Sequence, residues 1–253
     1  GMSYYMVGGE LARTLGPMAA VACVTLFGLE GFYPVMIFGL IASGWLFFRL
    51  KDVSPETEST RRASFLQTWS EIKFFMLPLI FILCARGFMH GCTATFLPTF
   101  LEQETGNLWL AGIGLTLLEG TGVVGALTAG ILSDYIGRRR MLLLSLLGAP
   151  AGLFLLTITE GKFRFLMLML TGFTLLSTTP VMLAVVQELG KKRPAASNGL
   201  FMMASFLARS AIVVVIGWIA DLIGLRMTFI ISAAMGLLGI PFVLQLPSEN
   251  PDR

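Results

Sequence analysis

Apolar runs of about twenty residues alternate along the chain with short polar breaks, a pattern that predicts bilayer-spanning helices. The runs fall at about 5–27, 32–48, 74–100, 108–132, 141–159, 164–188, 198–220 and 227–246, which makes eight. Between the second and third lies the one long polar stretch, Arg49 to Lys73. It carries Ser54-Pro55, Glu56, Glu58, Arg61, Arg62 and Glu71, and is the natural linker between two helical groups. A short polar tail, Pro247 to Arg253, closes the chain.

Composition sharpens this pattern into a class. Of 253 residues, 55% are hydrophobic and 13% charged, about half the charged fraction of a soluble domain. Too few charges remain to clothe a water-exposed surface, so the fold class is all-α: a polytopic membrane protein of eight transmembrane helices. No cleavable signal peptide is expected. Cys23, Cys84 and Cys92 all sit in apolar runs without CxxC spacing, and read as small buried hydrophobes. One His, no metal-spaced ligands and no Gly-x-Ser-x-Gly argue against an intramembrane enzyme. Lys191-Lys192-Arg193 reads as a topology anchor, with no nucleic-acid partner implied.

The net charge of +3 matters less than its distribution. Twelve basic residues fall on one side of the predicted layer: Arg49, Lys51, Arg61, Arg62, Lys73, Arg138, Arg139, Arg140, Lys191, Lys192, Arg193 and Arg253. Lys162, Arg164 and Arg226 fall on the other, and Arg13, Arg86 and Arg209 lie within spans. The positive-inside rule then puts both termini in the cytoplasm.

The chain also repeats itself. At an offset of 196 residues, Leu11-Ala12-Arg13-Thr14 aligns with Leu207-Ala208-Arg209-Ser210, and Gly28-Leu29-Glu30 with Gly224-Leu225-Arg226. An offset of that length corresponds to about six helices with their loops, the mark of a parallel six-helix repeat. The first two spans are then equivalents of the last two. Such an architecture predicts twelve helices, of which four would precede those present.

Between the fourth and fifth spans the chain reads Gly130-Ile-Leu-Ser-Asp134-Tyr-Ile-Gly137-Arg138-Arg139-Arg140. Gly130 is expected to allow close helix approach, and Asp134 to accept hydrogen bonds from the next helix's N-terminus. Gly137 permits a tight reversal, and the arginines anchor on headgroups or pair with Asp134. An echo, Gly217-Trp-Ile-Ala-Asp221-Leu-Ile-Gly224-Leu-Arg226, follows 87 residues later, three spans on. This segment resembles the G-x-L-[AS]-D-x-x-G-[RK]-[RK]-[RK] loop of the major facilitator superfamily. The first span, with Gly8, Ala12, Gly16-Pro17 and Ala20, is similar to that family's G-x-x-x-G-P-x-x-G antiporter signature, with two glycines replaced by alanine. Ordinary packing of small residues between helices explains the same stripe. Arg86-Gly87-Phe88, Thr179-Pro180-Val181 and Val185-Val186-Gln187-Glu188-Leu189 resemble the fosmidomycin-resistance efflux group.

The resemblance implies helices five to twelve of a twelve-helix transporter. Residues 1–48 would be the last two helices of an N-terminal bundle, 49–73 the central cytoplasmic loop, and 74–253 a complete six-helix C-terminal bundle. It implies an inner-membrane, proton-coupled exporter of a small compound, with the arginine loop as a conformational latch. The proton gradient would be its energy source, with no cofactor. The alternative is a fragment that needs the missing helices or a partner chain to transport.

Charges inside spans are the candidate site, because each costs on the order of 2.5–3.5 kcal/mol to insert. Counting from the charged loops puts Arg86, Glu119 and Arg209 roughly 18–22 Å deep, with Arg13 at the depth of Arg209 by the repeat. His90 follows Arg86 by one turn, and Glu10 lies a turn below the layer. These six residues read either as internal ion pairs, Arg86 with Glu119 or Arg13 with Glu10, or as a cavity lining. As a lining, the positive balance favours an anionic or zwitterionic substrate. A carboxyl held between desolvation and an arginine is a switchable proton site, which makes Glu119 the first candidate for coupling and His90 the second. Glu188, near a helix end, reads as solvated or capping. Pro180, beside Thr178 and Thr179, is a candidate gating bend.

Overall fold

The computed structural model describes residues 2–28, 35–50, 65–190 and 194–246, and side chains within 12, 14–28, 36–49, 74–190 and 196–246. Residues 51–64 of the linker, the basic triplet 191–193 and the tail from 247 lie outside the described residues. Every regular element among the described residues is helical. The chain forms α1 (Met2–Phe27), α2 (Val35–Leu50), α3 (Phe65–Gly91), a π-helical turn (Cys92–Phe96) and α4 (Leu97–Thr105). It continues as α5 (Leu108–Ile136), α6 (Arg138–Ile158), α7 (Gly161–Leu189), α8 (Pro194–Ile223), α9 (Leu225–Leu237) and α10 (Ile240–Leu244).

Counting α3 with its π-turn and α4 as one rod, and α9 with α10 as another, eight rods stand where eight apolar runs predicted them. Six of these are long and apolar enough to cross a bilayer, and the first two rods contain shorter apolar stretches, Thr14–Phe27 and Met36–Arg49. The protein is a multi-pass membrane helical bundle. Several helices run past their expected bounds, two of them informatively. α3 begins at Phe65, inside the segment read as linker, because Phe65, Leu66, Trp69 and Ile72 already recur at helical spacing. α5 runs on to Ile136 and takes the first half of the arginine-loop signature into the helix.

The loop glycines earn their places. Gly137 (φ 90°) and Gly224 (φ 83°) both reverse the chain in the region that side chains rarely adopt. They are the matching glycines of the loop signature and its echo, so the nested repeat seen in sequence is also a repeat of backbone conformation. At the other end of α5, Asn107 is a side-chain cap: its Oδ1 accepts from the Trp109 and Leu110 amides at 2.9 and 3.3 Å.

α7 is the centre of the bundle, packed against α5 along one side and α6 along another, with α3 and α8 also reaching it. α3 packs on α8 and α9, and α6 on α9. Phe100 of α4 stacks on Phe229 of α9, ring centroids 4.8 Å apart, in the fully buried core. α1 lies along α5. α2 is different: its described side chains, among them Phe38, Ile41, Trp45 and Phe48, are exposed along nearly the whole helix. Apolar exposure of that kind faces lipid in a spanning protein.

Among the described side chains, none lies within 4 Å of a Cβ placed at Gly130. The close approach is supplied by Gly125, over the Phe173 backbone, and by Gly172, over the Leu118 carbonyl. Gly16 of the α1 stripe likewise faces open space. Helix rotation, which composition does not reveal, decides which glycine of a stripe meets a neighbour.

Candidate functional site

Arg86 reaches from α3 to α7. Its Nε donates to the Leu175 carbonyl at 3.3 Å and a terminal nitrogen donates to Thr179 Oγ1 at 2.6 Å. His90, one turn further along α3, is 5% exposed, and Glu119 on α5 is equally buried. α7 serves as a common ruler for these groups. Arg86 meets it at Leu175 and Thr179, while Leu118 and Gly122, on either side of Glu119, lie against Gly172 and Leu176. Residues 172 to 179 cover about 10 Å of helix, so the structure brings Arg86 and Glu119 to the same stretch of α7.

Arg209 joins this level by a second register. Gly87 of α3 faces Ile212 of α8, and Gly91 faces Ile216, which sets Arg209 level with Cys84 and about 3 Å from the level of Arg86. Its side chain is exposed among the described residues, as is Thr179, while Arg86 is half-buried. The backbones of Glu10 and Arg13 belong to α1; their side chains lie outside the described residues. Arg86 and His90 of α3, Glu119 of α5 and Arg209 of α8 thus come from three rods that each pack on α7.

The arginine loop is wired differently from its expected pairing. Arg138 donates to Glu188 Oε2 at 2.6 Å, tying the start of α6 to the end of α7. Among the described residues no side chain caps the N-terminus of α6, and Asp134 is exposed. Glu188, still partly exposed at its helix end, is thus also an ion-pair partner. The reason is tertiary: Asp134 is four residues from Arg138, but α6 packs along α7 and brings Glu188 across. Arg139 is half-buried and Arg140 exposed at the same end.

At the opposite end is a node that sequence reasoning missed. Glu104 of α4 accepts from Arg164 of α7 at 3.1 Å and from Arg226 of α9 at 2.9 and 3.1 Å. Arg164 is 5% exposed, also donates to the Thr159 carbonyl at 2.9 Å, and lies 5.7 Å over the Phe100 ring. The available signal was that Arg164 and Arg226 share an end of the molecule with Glu102, Glu104 and Glu160.

The Major Facilitator Superfamily family model matches residues 79–253, and the chain belongs to that family of membrane transporters, which are not enzymes. A curated relative, the fosmidomycin resistance protein of Escherichia coli (strain K12), is 22% identical over 256 residues. That match takes in 99% of this chain and 63% of the relative, so the chain spans less than two thirds of that protein's length.

Proposed function

We propose that the protein acts in secondary active transport, exporting a small anionic or zwitterionic compound in exchange for protons by alternating access. The observation that carries this reading is the pair Arg86 and Arg209. Two guanidinium groups stand at one level of apolar helices, the first half-buried beside the Thr179 hydroxyl and the second exposed. Facing lipid, each would cost several kcal/mol, about 2.5–3.5 by insertion scales; lining a water-filled path that takes an anion, they are in place. Resemblance to a resistance protein named for fosmidomycin supports the direction of transport and the drug-resistance role. Glu119, buried against α7, is the proposed proton carrier, with His90 as the second candidate. The setting is an inner membrane with both termini cytoplasmic, so that the Arg138 loop faces the cytoplasm and the Glu104 node the outside. The domain division follows: 1–48 belongs to an N-terminal bundle and 74–253 forms the C-terminal one.

Exposure of α2 on nearly all sides, and of much of α8, favours a second reading in which these helices transport only together with further helices or a partner chain. Reconstitution decides between them. The chain alone in proteoliposomes with an imposed pH gradient, given a phosphonate substrate, exports it under the first reading and is silent under the second. In an active preparation, Arg86→Ala and Glu119→Gln abolish proton-driven export with normal membrane insertion; unimpaired export by both would remove the cluster from the mechanism.

A further inference from the structure

We propose that Arg86 couples two irregular joints, the π-turn that ends α3 and the proline joint of α7, so that both helices yield together. Pro180 has no N–H for the Leu176 carbonyl, and the α7 ladder is interrupted at that point. The turn before it is dense in hydroxyls bonded back to backbone: Ser177 donates to the Phe173 carbonyl and Thr178 to the Leu175 carbonyl. Such back-bonding loosens and bends helices. Arg86 grips this same turn at two points, the Leu175 carbonyl and the Thr179 hydroxyl. On its own helix, the regular ladder gives way five residues later, where Gly91 leads into the π-turn Cys92–Phe96. There Thr93 Oγ1 donates to the Met89 and His90 carbonyls at 2.9 and 3.2 Å. π-Turns inside helices are frequent at sites of function because their hydrogen bonds are out of register with the helix on either side.

Both joints lie within about 10 Å of helix length from Arg86. A guanidinium is suited to the link because its planar fork holds a carbonyl and a hydroxyl at fixed angles, which an ammonium cannot do. A displacement of the Leu175–Thr179 turn pulls on α3 just before its π-turn, and the reverse holds. Arg86 is on this account a positioning residue. The purpose of the coupling rests on the transport reading, but its test reads backbone opening, so either can fail alone.

The test is hydrogen exchange by mass spectrometry on the full chain in lipid nanodiscs, following peptides over 175–183, 91–97 and, as a folding control, 141–153 of α6. Thr179→Val removes one grip with an exposed, nearly isosteric side chain; Arg86→Lys keeps the charge and loses the fork. Both are expected to speed exchange at least fivefold at 175–183 and at 91–97 together, leaving 141–153 unchanged. Pro180→Ala, which restores the missing N–H, is expected to slow both segments. Faster exchange confined to one helix, or none in either variant, overturns the coupling. Should Arg86→Lys also expose α6, Thr179→Val alone decides the matter by the same criterion.

Discussion

α5 makes two seams of opposite character. Towards α7, backbone meets backbone: a methyl at Gly125 would strike the Phe173 peptide, and one at Gly172 would strike the Leu118 carbonyl, with Thr121 Oγ1 at 2.6 Å. Towards α1, side chains intervene: a methyl at Gly112 meets Val21 Cγ2 at 2.8 Å, and one at Gly120 meets Thr14 Cγ2 at 3.2 Å. Gly112 and Gly114 show how one helix serves both neighbours, because two residues turn the helix by about 200°. Gly112 faces α1, and Gly114 faces Leu101 and Leu168. A seam of interlocked backbones moves as one body, whereas a seam of side chains can shift by rotamer changes. On the proposed division of the chain, the tight seam lies inside one bundle and the loose seam lies between two, where rocking would need it.

The sharpest way to break this comparison is Gly172→Ala. The added methyl has no room between α5 and α7, and the nearest atoms belong to the Leu118 backbone carbonyl, which cannot turn aside as a side chain can. The expected loss is about 3 kcal/mol, the upper range for overpacking, seen as a drop in thermal unfolding temperature in detergent. A variant as stable as the parent would mean the seam gives, and the rigid-body description would go with it.

Next in size is Glu104→Gln at the opposite end of the same bundle. It replaces the carboxylate by a neutral amide, so the buried Arg164 guanidinium keeps the Thr159 carbonyl, the Phe100 ring and at most the amide oxygen, with no compensating charge. The expected cost is on the order of 2–3 kcal/mol, because an uncompensated buried charge is expensive. Arg226→Gln is the control: its side chain is 52% exposed, and its loss should stay under about 1 kcal/mol. Equal costs for the two would show that burial of Arg164 is not what gives the node its strength.

These contacts also mark where sequence reading stopped. Spans were legible because length and apolarity are local properties: about twenty residues cross a bilayer whatever they pack against. The loop signature was legible too, and Gly137 and Gly224 share their backbone form as the echo implied. Long-range partners were not. Arg138 had an acid four residues away in Asp134, and nothing in the local pattern says that α7 carries Glu188 across fifty positions to meet it. The π-turn was invisible for the same reason, since helix registers are set by packing. At the candidate site, depth counting could set Arg86, Glu119 and Arg209 at similar levels, because 1.5 Å per residue holds in any helix. What each side chain grips, Thr179 and Leu175 above all, depended on rotation about the helix axis.

Gly112→Ala probes the loose seam. Val21 is β-branched and stiff, so the methyl should cost about 1 kcal/mol of α1–α5 association while the bundle's own stability stays within error. Disulfide trapping between cysteines placed at Pro17 and at Leu115, in a background without the native cysteines, reads the association. Unfolding temperature reads the bundle. A fall in both measures together would join α1 to the bundle as one cooperative unit and erase the distinction between the seams.

The smallest expected effect has the opposite sign. Gly130 belongs to the loop signature, yet it sits within helical α5 with no described side chain within 4 Å of a prospective Cβ. Alanine there relieves the conformational freedom that glycine holds in the unfolded chain, a gain of roughly 0.5–1 kcal/mol in a helix interior. The unfolding temperature of Gly130→Ala should therefore rise slightly above the parent's, in contrast to Gly172→Ala on the same bundle. A loss instead would mean that a surface beyond the described side chains comes close to Gly130 and covers the arginine-loop end of α5. In that case the loose side of α5 extends further along the helix than the present packing shows.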